Sequence, residues 1–505
     1  MITTLFTFEN LYRAWLDCRR RKRGKTAALV FEANAEEELL DLASELAGRT
    51  YRPHPSFCFV AQNDKYREVF AAQFRDRVVH HLLVRELEKT WEPVFIYDSY
   101  ACRKGKGTHA AVKRLQKFMR RATANNTRRA WFAQLDVRSF FPSIDRCLLL
   151  EFVHARLYSE ELKWLAEVLI SHDPTKDPLL TCSIKKWVKI PPGKSLFSTP
   201  PGKGLPIGNL TSQFLANVYL NPLDQFIKHG LKAKYYIRYV DDMILVHEDR
   251  HVLETWRDSI EDFLRNRLLL EIHPKRRIIR PVSNGADFVG YVVRPSHLLV
   301  RRRIVDRCKA AIARHSRNVF RQEAKNVVLS FPPDVYQQLY MTIQSYFGLF
   351  KHASSTRLCD SLFARRPWIG LIFQRRNSRI NKRWAFQGKP ANLKTQYGYF
   401  RRRFCGVILF QVGKYFELFD RDAIWAKAQL GMNRIHARPR FYARCGVHRL
   451  RCGTIVKRLM TAQRNILVVA QSDMPHGPLK DRIGVSLVLK HCSPKARTGS
   501  WCRWG

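Results

Sequence analysis

Apolar residues recur at helical spacing through the first sixty positions. NLYRAWLDCRRRK (residues 10–22) and EEELLDLASELAG (36–48) each carry an apolar stripe, which predicts a helical segment over 1–60, punctuated at its exit by Gly48 and Pro53. Residues 65–120 alternate short strands with basic helices such as FRDRVVHHLLVRELEKTWEP. AWFAQLDVRSFFPSID (130–145) begins as a β-rich apolar strand and breaks at Pro142, with a helix following through 146–170. IKKWVKIPPGKSLFSTPPGKG (184–204) is a basic Pro/Gly-rich loop. Beyond it the pattern predicts a helix over 212–230, a strand hairpin over 234–247, a helix over 249–270, strands within 286–303 and basic helices over 304–365. The polar, basic stretch at 375–403 is expected to be a linker. A globular pattern returns over 404–472, and the residues after Asp473 form a tail carrying Pro475, Gly477, Pro478 and Pro494. No repeat of solenoid period is present. The fold class this predicts is a multidomain α/β chain.

Charge narrows the class of partner. Lys and Arg total 89 against 43 Asp and Glu, a net +46, which calls for a polyanion because neutralised phosphates release condensed counterions. Aromatic residues reach 12%, enough for substantial cores across 505 residues, so the chain is not a disordered basic tail. The 12 Cys include no C-x-x-C pair, which argues against a zinc knuckle and suits a reducing compartment. The N-terminus lacks a continuous apolar block with a cleavage site, and no uncharged apolar stretch is long enough to span a bilayer. The expected location is cytoplasmic, without a membrane partner.

Two catalytic signatures overlap in IRYVDDMILVHEDRH (237–251). His247-Glu248-Asp249-Arg250-His251 fits the H-E-x-x-H of zinc metalloproteases, which needs both His on one helical face. Here the pattern begins inside a β-branched strand and no third ligand follows, so it is assigned to a strand exit and an acidic helix start. Gly193-Lys194-Ser195 imitates the end of a P-loop, but Val188 stands where the earlier Gly is required. Asp241 and Asp242 interrupt a hydrophobic hairpin, where a carboxylate pair is costly to bury without cations. Asp136, at the end of the apolar strand WFAQLDV, can complete a two-metal phosphoryl-transfer site. The alternative is two unrelated surface turns, which spacing alone leaves open.

Set in order, these stretches resemble reverse transcriptases over about residues 10–355. Phe132–Asp145 resembles the first catalytic palm motif and Tyr239–Asp242 the second. KGLPIGNLTSQFLANVYLNPLD (203–224) resembles the motif near template and nucleotide, LEIHPKRR (270–277) and FVGYVV (288–293) those that follow, and KYREVFAAQFRDRVVHH (65–81) with SYACRKGKGTHAA (99–111) the fingers. The resemblance implies a right-hand polymerase, with an N-terminal helical segment at 1–60, fingers and palm at 61–300 and a helical thumb at 301–375. In IGNLTSQ, Ile207 replaces the usual Gln and Gln213 the usual Pro, a form similar to bacterial enzymes of diversity-generating retroelements. Those copy a template RNA into cDNA with errors at adenines. Phage-defence reverse transcriptases share much of the pattern, and a catalytically idle RNA-binding scaffold is the alternative of another class.

By motif position the resemblance assigns Asp136, Asp241 and Asp242 to catalysis and metal, with two Mg²⁺ ions, or Mn²⁺, as cofactors. Phe141 would wall the sugar, and Lys65, Arg67, Arg103 and Lys275 would contact the nucleotide. Ile207, Gly208, Ser212 and Gln213 would lie at the template and bear on fidelity. Template RNA, a DNA primer or cDNA and dNTPs are the implied partners, and an accessory variability protein is a candidate one.

FCGVILFQVGKYFELFDRDAIWAKAQLG (404–431) and the helix and strand of 447–471 resemble the N-terminal mismatch-recognition domain of MutS proteins. Its expected boundaries are 404–472, between a basic linker at 376–403 and a basic tail at 473–505. The family's Phe-x-Glu stands here as Tyr415-Phe416-Glu417, so Tyr415 would stack on a base and Glu417 hydrogen-bond it. The alternative is that these aromatics fill a small α/β core. No Walker motif follows, so no MutS-type ATPase is expected.

Overall fold

The apolar strand that ends in Asp136 lies in the interior of a four-stranded sheet. The computed structural model describes residues 5–62, 66–323, 326–377, 379–386, 392–433, 443–475 and 480–490. They divide into two units, Met1–His297 and Leu298–Gly505. Among the described residues no helix is long and apolar enough to cross a membrane.

In the first unit, helices Phe8–Arg19, Thr26–Ala33 and Ala35–Ala47 bury the apolar faces seen in the sequence. An antiparallel hairpin of β1 (Phe57–Gln62) and β2 (Tyr66–Ala71) follows. After it come α1 (Phe74–Trp91) and α2 (Thr108–Ala122). β3 (Trp131–Val137) buries Phe132, Ala133, Gln134 and Leu135 in succession, so both of its faces are covered. The helix expected over 146–170 is two helices, Arg146–His154 and Glu160–Ser171, because Ser159 caps the second through the Leu162 amide at 3.3 Å.

The remaining elements around this sheet are α3 (Leu210–Gln225), β4 (Tyr235–Tyr239), β5 (Asp242–His247), α4 (Arg250–Leu268) and β6 (Ile272–Pro281). The strand order is β4-β5-β3-β6, antiparallel throughout. Register is set by apolar pairing, Leu135 opposite Met243, and this places Asp136 directly opposite Asp242. A further hairpin, β7 (Ala286–Phe288) and β8 (Tyr291–Val293), turns through Val289 and Gly290 at φ 44° and 92°, the mirror-image turn that suits twisted strands.

The second unit departs from the sequence expectation. Between helices α5 (Arg302–Val319) and α6 (Pro333–Phe350) stands a hairpin of β9 (Phe320–Glu323) and β10 (Asn326–Ser330). Helices Thr356–Ala364 and Pro367–Ile372 follow. The stretch expected to be a linker contains part of the hairpin β11 (Phe373–Arg376) and β12 (Arg379–Lys382), then α7 (Leu393–Arg401). Its Trp384, Tyr397 and Phe400 are buried, which is why it is ordered structure rather than spacer.

The remaining elements are β13 (Val407–Val412), β14 (Tyr415–Phe419), α8 (Arg421–Leu430), β15 (Arg444–His448), α9 (Cys452–Thr461), β16 (Ile466–Pro475) and β17 (Lys480–Lys490). The stretch expected to be a tail therefore supplies an interior strand. The sheet runs β9-β10-β17-β16-β13-β14-β15, with β17 between the β9–β10 hairpin and β16.

Strand alternation gives this sheet two covered faces. Ile408, Phe410, Phe419, Leu467, Val469 and Leu487 join a core with Tyr336 and Phe347 of α6 and with Trp384 and Phe400. Val407, Leu409, Leu418, Ile466, Val468 and Val488 join a second core with Ala423 and Ala426 of α8 and Ile455 and Leu459 of α9. The α5–α6 hairpin and the C-terminal α/β region are thus one folded layer, not two modules on a tether.

Leu487, 1% exposed, sits opposite Leu329 in that layer. Leu487→Ala is expected to destabilise the second unit by about 2–5 kcal/mol. Hydrogen exchange should then quicken at Val327 and Leu329 together with the C-terminal strands. Exchange confined to 480–490 would show that the two regions fold separately.

Candidate active site

Asp136 is the penultimate residue of β3, and Asp241 lies in the two-residue turn between β4 and β5. Their carboxyl groups are close enough to share a hydrogen bond. Removal from water, then the Asp136 charge, pushes the Asp241 carboxyl up to about 7. Burial likewise raises Asp242 to about 8, against the Gln134 amide, which favours its ionised form. Gln134 Nε2 donates to Asp242 Oδ1 at 3.0 Å and to the Asp287 carbonyl of β7 at 2.9 Å. One buried amide therefore links the third carboxylate to the following hairpin.

Among the described residues no three His, Cys, Asp or Glu side chains form a metal-holding cluster. Asp136 and Asp241 form a facing pair, and Asp242 is engaged by Gln134. That pair fits a hard divalent cation, because Mg²⁺ at phosphoryl-transfer sites takes one or two carboxylates and completes its shell with phosphate and water oxygens. The raised carboxyls follow first from loss of water around them and then from one another's charge.

Two cations stand near the pair. Arg276 Nε lies 3.4 Å from Asp136 Oδ2, and the Arg67 charge on β2 favours ionised Asp241. Lys275, expected at the nucleotide, is exposed, and it is the neighbouring Arg276 that reaches the carboxylates. Arg103 also departs from expectation. Its side chain is 6% exposed, ion-paired with Glu92 at 2.8 Å and bonded to the carbonyls of Ile96 and Ser99, so it braces its own loop. Lys65 lies outside the described residues.

The motif around Ile207 runs alongside β2. Phe70 N donates to the Ile207 carbonyl at 2.8 Å, and Ala72 N to Asn209 Oδ1 at 3.1 Å. Leu205 N donates to the Phe141 carbonyl at 2.9 Å, which fixes the short helix after β3 against the same stretch. Phe141 is half-buried against Phe140, Ser212 is buried, and Gln213 is exposed and accepts from Cys102 Sγ at 3.2 Å. Backbone bonds so hold Ile207 against β2, the strand that carries Arg67, and Leu205 against Phe141. His247 ends a strand while His251 sits on α4 with its side chain 88% exposed, so the helical spacing a zinc pair requires is absent.

In the second unit Tyr415 is 49% exposed, its ring edge-on to His448. Glu417 is 2% exposed, with Arg444 Nε 3.2 Å from its carboxylate. The expected base contact is therefore accessible for Tyr415 and enclosed for Glu417.

Residues 55–293 match the family model described as reverse transcriptase (RNA-dependent DNA polymerase). This region is similar to reverse transcriptase domains. Its class is RNA-directed DNA polymerase, and its sheet is the palm of a right-hand fold. Residues 393–488 match MutS domain I, a span that begins at α7 and ends in β17, wider at both ends than the sequence suggested.

Among curated proteins, Protein YkfC of Escherichia coli (strain K12) is 24% identical over 311 residues, covering 54% of this chain and 74% of that protein. Group II intron-encoded protein LtrA of Lactococcus lactis subsp. cremoris is 22% identical over 325 residues, covering 52% of this chain and 50% of its own length. The match thus spans half of that relative. A solved structure of apo telomerase from Candida tropicalis aligns with a TM-score of 0.38 and 9% identity, over 58% of this chain and 51% of that one.

Gly208 shows how tightly the reverse transcriptase domain is built here. Its φ is 134°, and a Cβ would lie 2.6 Å from the Phe70 carbonyl oxygen. Gly208→Ala is expected to lower stability by about 1–3 kcal/mol from backbone strain, read by thermal unfolding. An unchanged transition would mean that the motif is not seated on β2.

Proposed function

We propose that the whole chain copies a template RNA into cDNA from a DNA primer and dNTPs, and that it does so within a diversity-generating retroelement. The observation that carries the polymerase reading is the meeting of Asp136 and Asp241 at one end of the sheet in the matched domain. Bound Mg²⁺, or Mn²⁺, would supply the charge that acidifies a primer 3′-hydroxyl and offsets the triphosphate. Asp136 and Asp241 would hold it. Asp242, fixed by Gln134, would keep the turn and the β7–β8 hairpin in one arrangement. Arg67 and Arg276, near these carboxylates, would receive phosphate oxygens. Phe141 would stand against the sugar and disfavour a ribose 2′-hydroxyl.

The retroelement assignment rests on Ile207 and Gln213 in IGNLTSQ and on the presence of a MutS-like region. Loss of the usual Gln side chain would leave the nascent pair less constrained and favour errors at template adenines. The MutS-like region would contact nucleic acid through Tyr415, with cations holding the backbone whatever the pairing.

Asp136→Asn and Asp241→Asn are each expected to abolish dNTP incorporation in a primer-extension assay while RNA binding persists. Extension at the wild-type rate by either variant would favour the idle RNA-binding scaffold.

Stacking typically contributes about 1–3 kcal/mol per base. Tyr415→Ala in the full chain should weaken binding to a mismatched duplex by about that amount and change binding to the matched duplex little. Equal losses on both duplexes, in a variant that still folds, would return Tyr415 to a packing role.

A further inference from the structure

Arg238 stands three residues before Asp241 with its side chain fully buried. A buried guanidinium is tolerated only when its charge and its N–H groups are met. Nη2 donates to Asp224 Oδ2 at 2.6 Å, and Nε to Asp224 Oδ1 and Oδ2 at 2.9 and 3.1 Å. Nη1 donates to Asn217 Oδ1 at 3.1 Å and to the Val240 carbonyl at 3.0 Å. Tyr236 adds its hydroxyl to Asp224 Oδ1 at 2.7 Å. Asp224 and Asn217 both belong to α3.

The bond to Val240 is the one that the charge itself does not need. Val240 is β-branched and sits at φ 56°, in the left-handed region that such residues avoid. A turn of that kind persists only when its surroundings over-determine it. The main chain of Arg238 extends the same network. Its N–H donates to the Asp98 carbonyl, and its carbonyl accepts from Tyr100 N, both at 3.0 Å. Asn217 Nδ2 closes the loop by donating to the Ala101 carbonyl at 2.9 Å.

We propose that Arg238 is a positioning residue for nucleotide addition, using α3 as an anchor to hold the Val240 carbonyl and thereby the turn that presents Asp241. The same network registers the segment at 98–101 against that turn. Arg238 touches no reacting atom. The planar fork is what the role requires, since a lysine ammonium facing Asp224 cannot also span to Val240. This inference rests on Asp241 acting in polymerisation.

The test uses the full chain in two variants. Arg238→Lys keeps a positive charge opposite Asp224. Arg238→Met combined with Asp224→Leu removes both charges and leaves neither buried alone. Both are expected to unfold cooperatively. In primer extension kcat should fall about 10-fold for Arg238→Lys and about 100-fold for the double variant, the scale of a misplaced catalytic group. KM for dNTP should move less than about threefold, since nucleotide binding is not what the turn supplies. A purely structural role would lower the folded fraction and leave kcat per folded molecule unchanged, and that result overturns the proposal. Failure of both variants to fold also overturns it, because the pair would then support the whole unit rather than the turn. An Asp241→Asn variant run alongside separates the two readings. If it is active, the polymerase reading fails and takes this one with it. If it is inactive while Arg238→Lys keeps wild-type kcat, the positioning role alone is lost.

Discussion

Carboxylates that converge at the end of an apolar sheet repel one another and resist leaving water, and the first unit is organised around that conflict. Apolar register forces Asp136 opposite Asp242, and a two-residue turn brings Asp241 beside them. Burial and mutual repulsion raise the Asp241 and Asp242 carboxyls into a state that favours protonation or cations. The surroundings answer with partial measures only. Gln134 stabilises one carboxylate, while Arg276 and Arg67 lie close without enclosing the others. A structural site would have been closed with a fork of arginine, as Asp224 is. Leaving charge uncompensated is the property that suits a site completed by metal and triphosphate.

Much of this was legible along the chain because it is written in local signals. An Asp pair between β-branched runs, an apolar strand ending in Asp, and a glycine in the motif beside Ile207 each report their own backbone. What escaped depends on pairing at a distance. Lys275 and Arg276 are equivalent in a basic run until the irregular pairing of β6 with β3 brings one of them to Asp136. Arg103 reads as a free cation until the fold places Glu92 against it. Gln134 and Arg238 look like ordinary strand residues, and only burial shows that a polar group there must have a partner.

The second unit shows the same limit at the level of domains. Pro, Gly and basic residues around 375–403 and after 473 suggested spacer and tail, yet Trp384 and Leu487 lie in a shared core. Gly484 explains part of it. A Cβ there would come within 2.7 Å of Trp384 Cβ, so the glycine marks close packing and not a loose loop. Composition averages over such positions, whereas alternation along β17 identifies them once its neighbours are known. Glu417 makes the converse point: a motif match places a residue in sequence, and Arg444 decides whether it faces solvent.

The order of strands in that sheet bears on how the protein is made. β10, at 326–330, is flanked by β9 on one side and by β17, at 480–490, on the other. A chain emerging from the ribosome therefore presents β10 with one edge open while about 150 further residues are synthesised. The core beneath α6 is equally incomplete until Leu487 arrives. Such long-range closure is slow, and an unpaired apolar edge is an invitation to pair with another chain. Arg321, exposed on β9 beside that edge, supplies charge where that risk is greatest. Biosynthesis, more than final stability, is where the joining of these two regions places its burden.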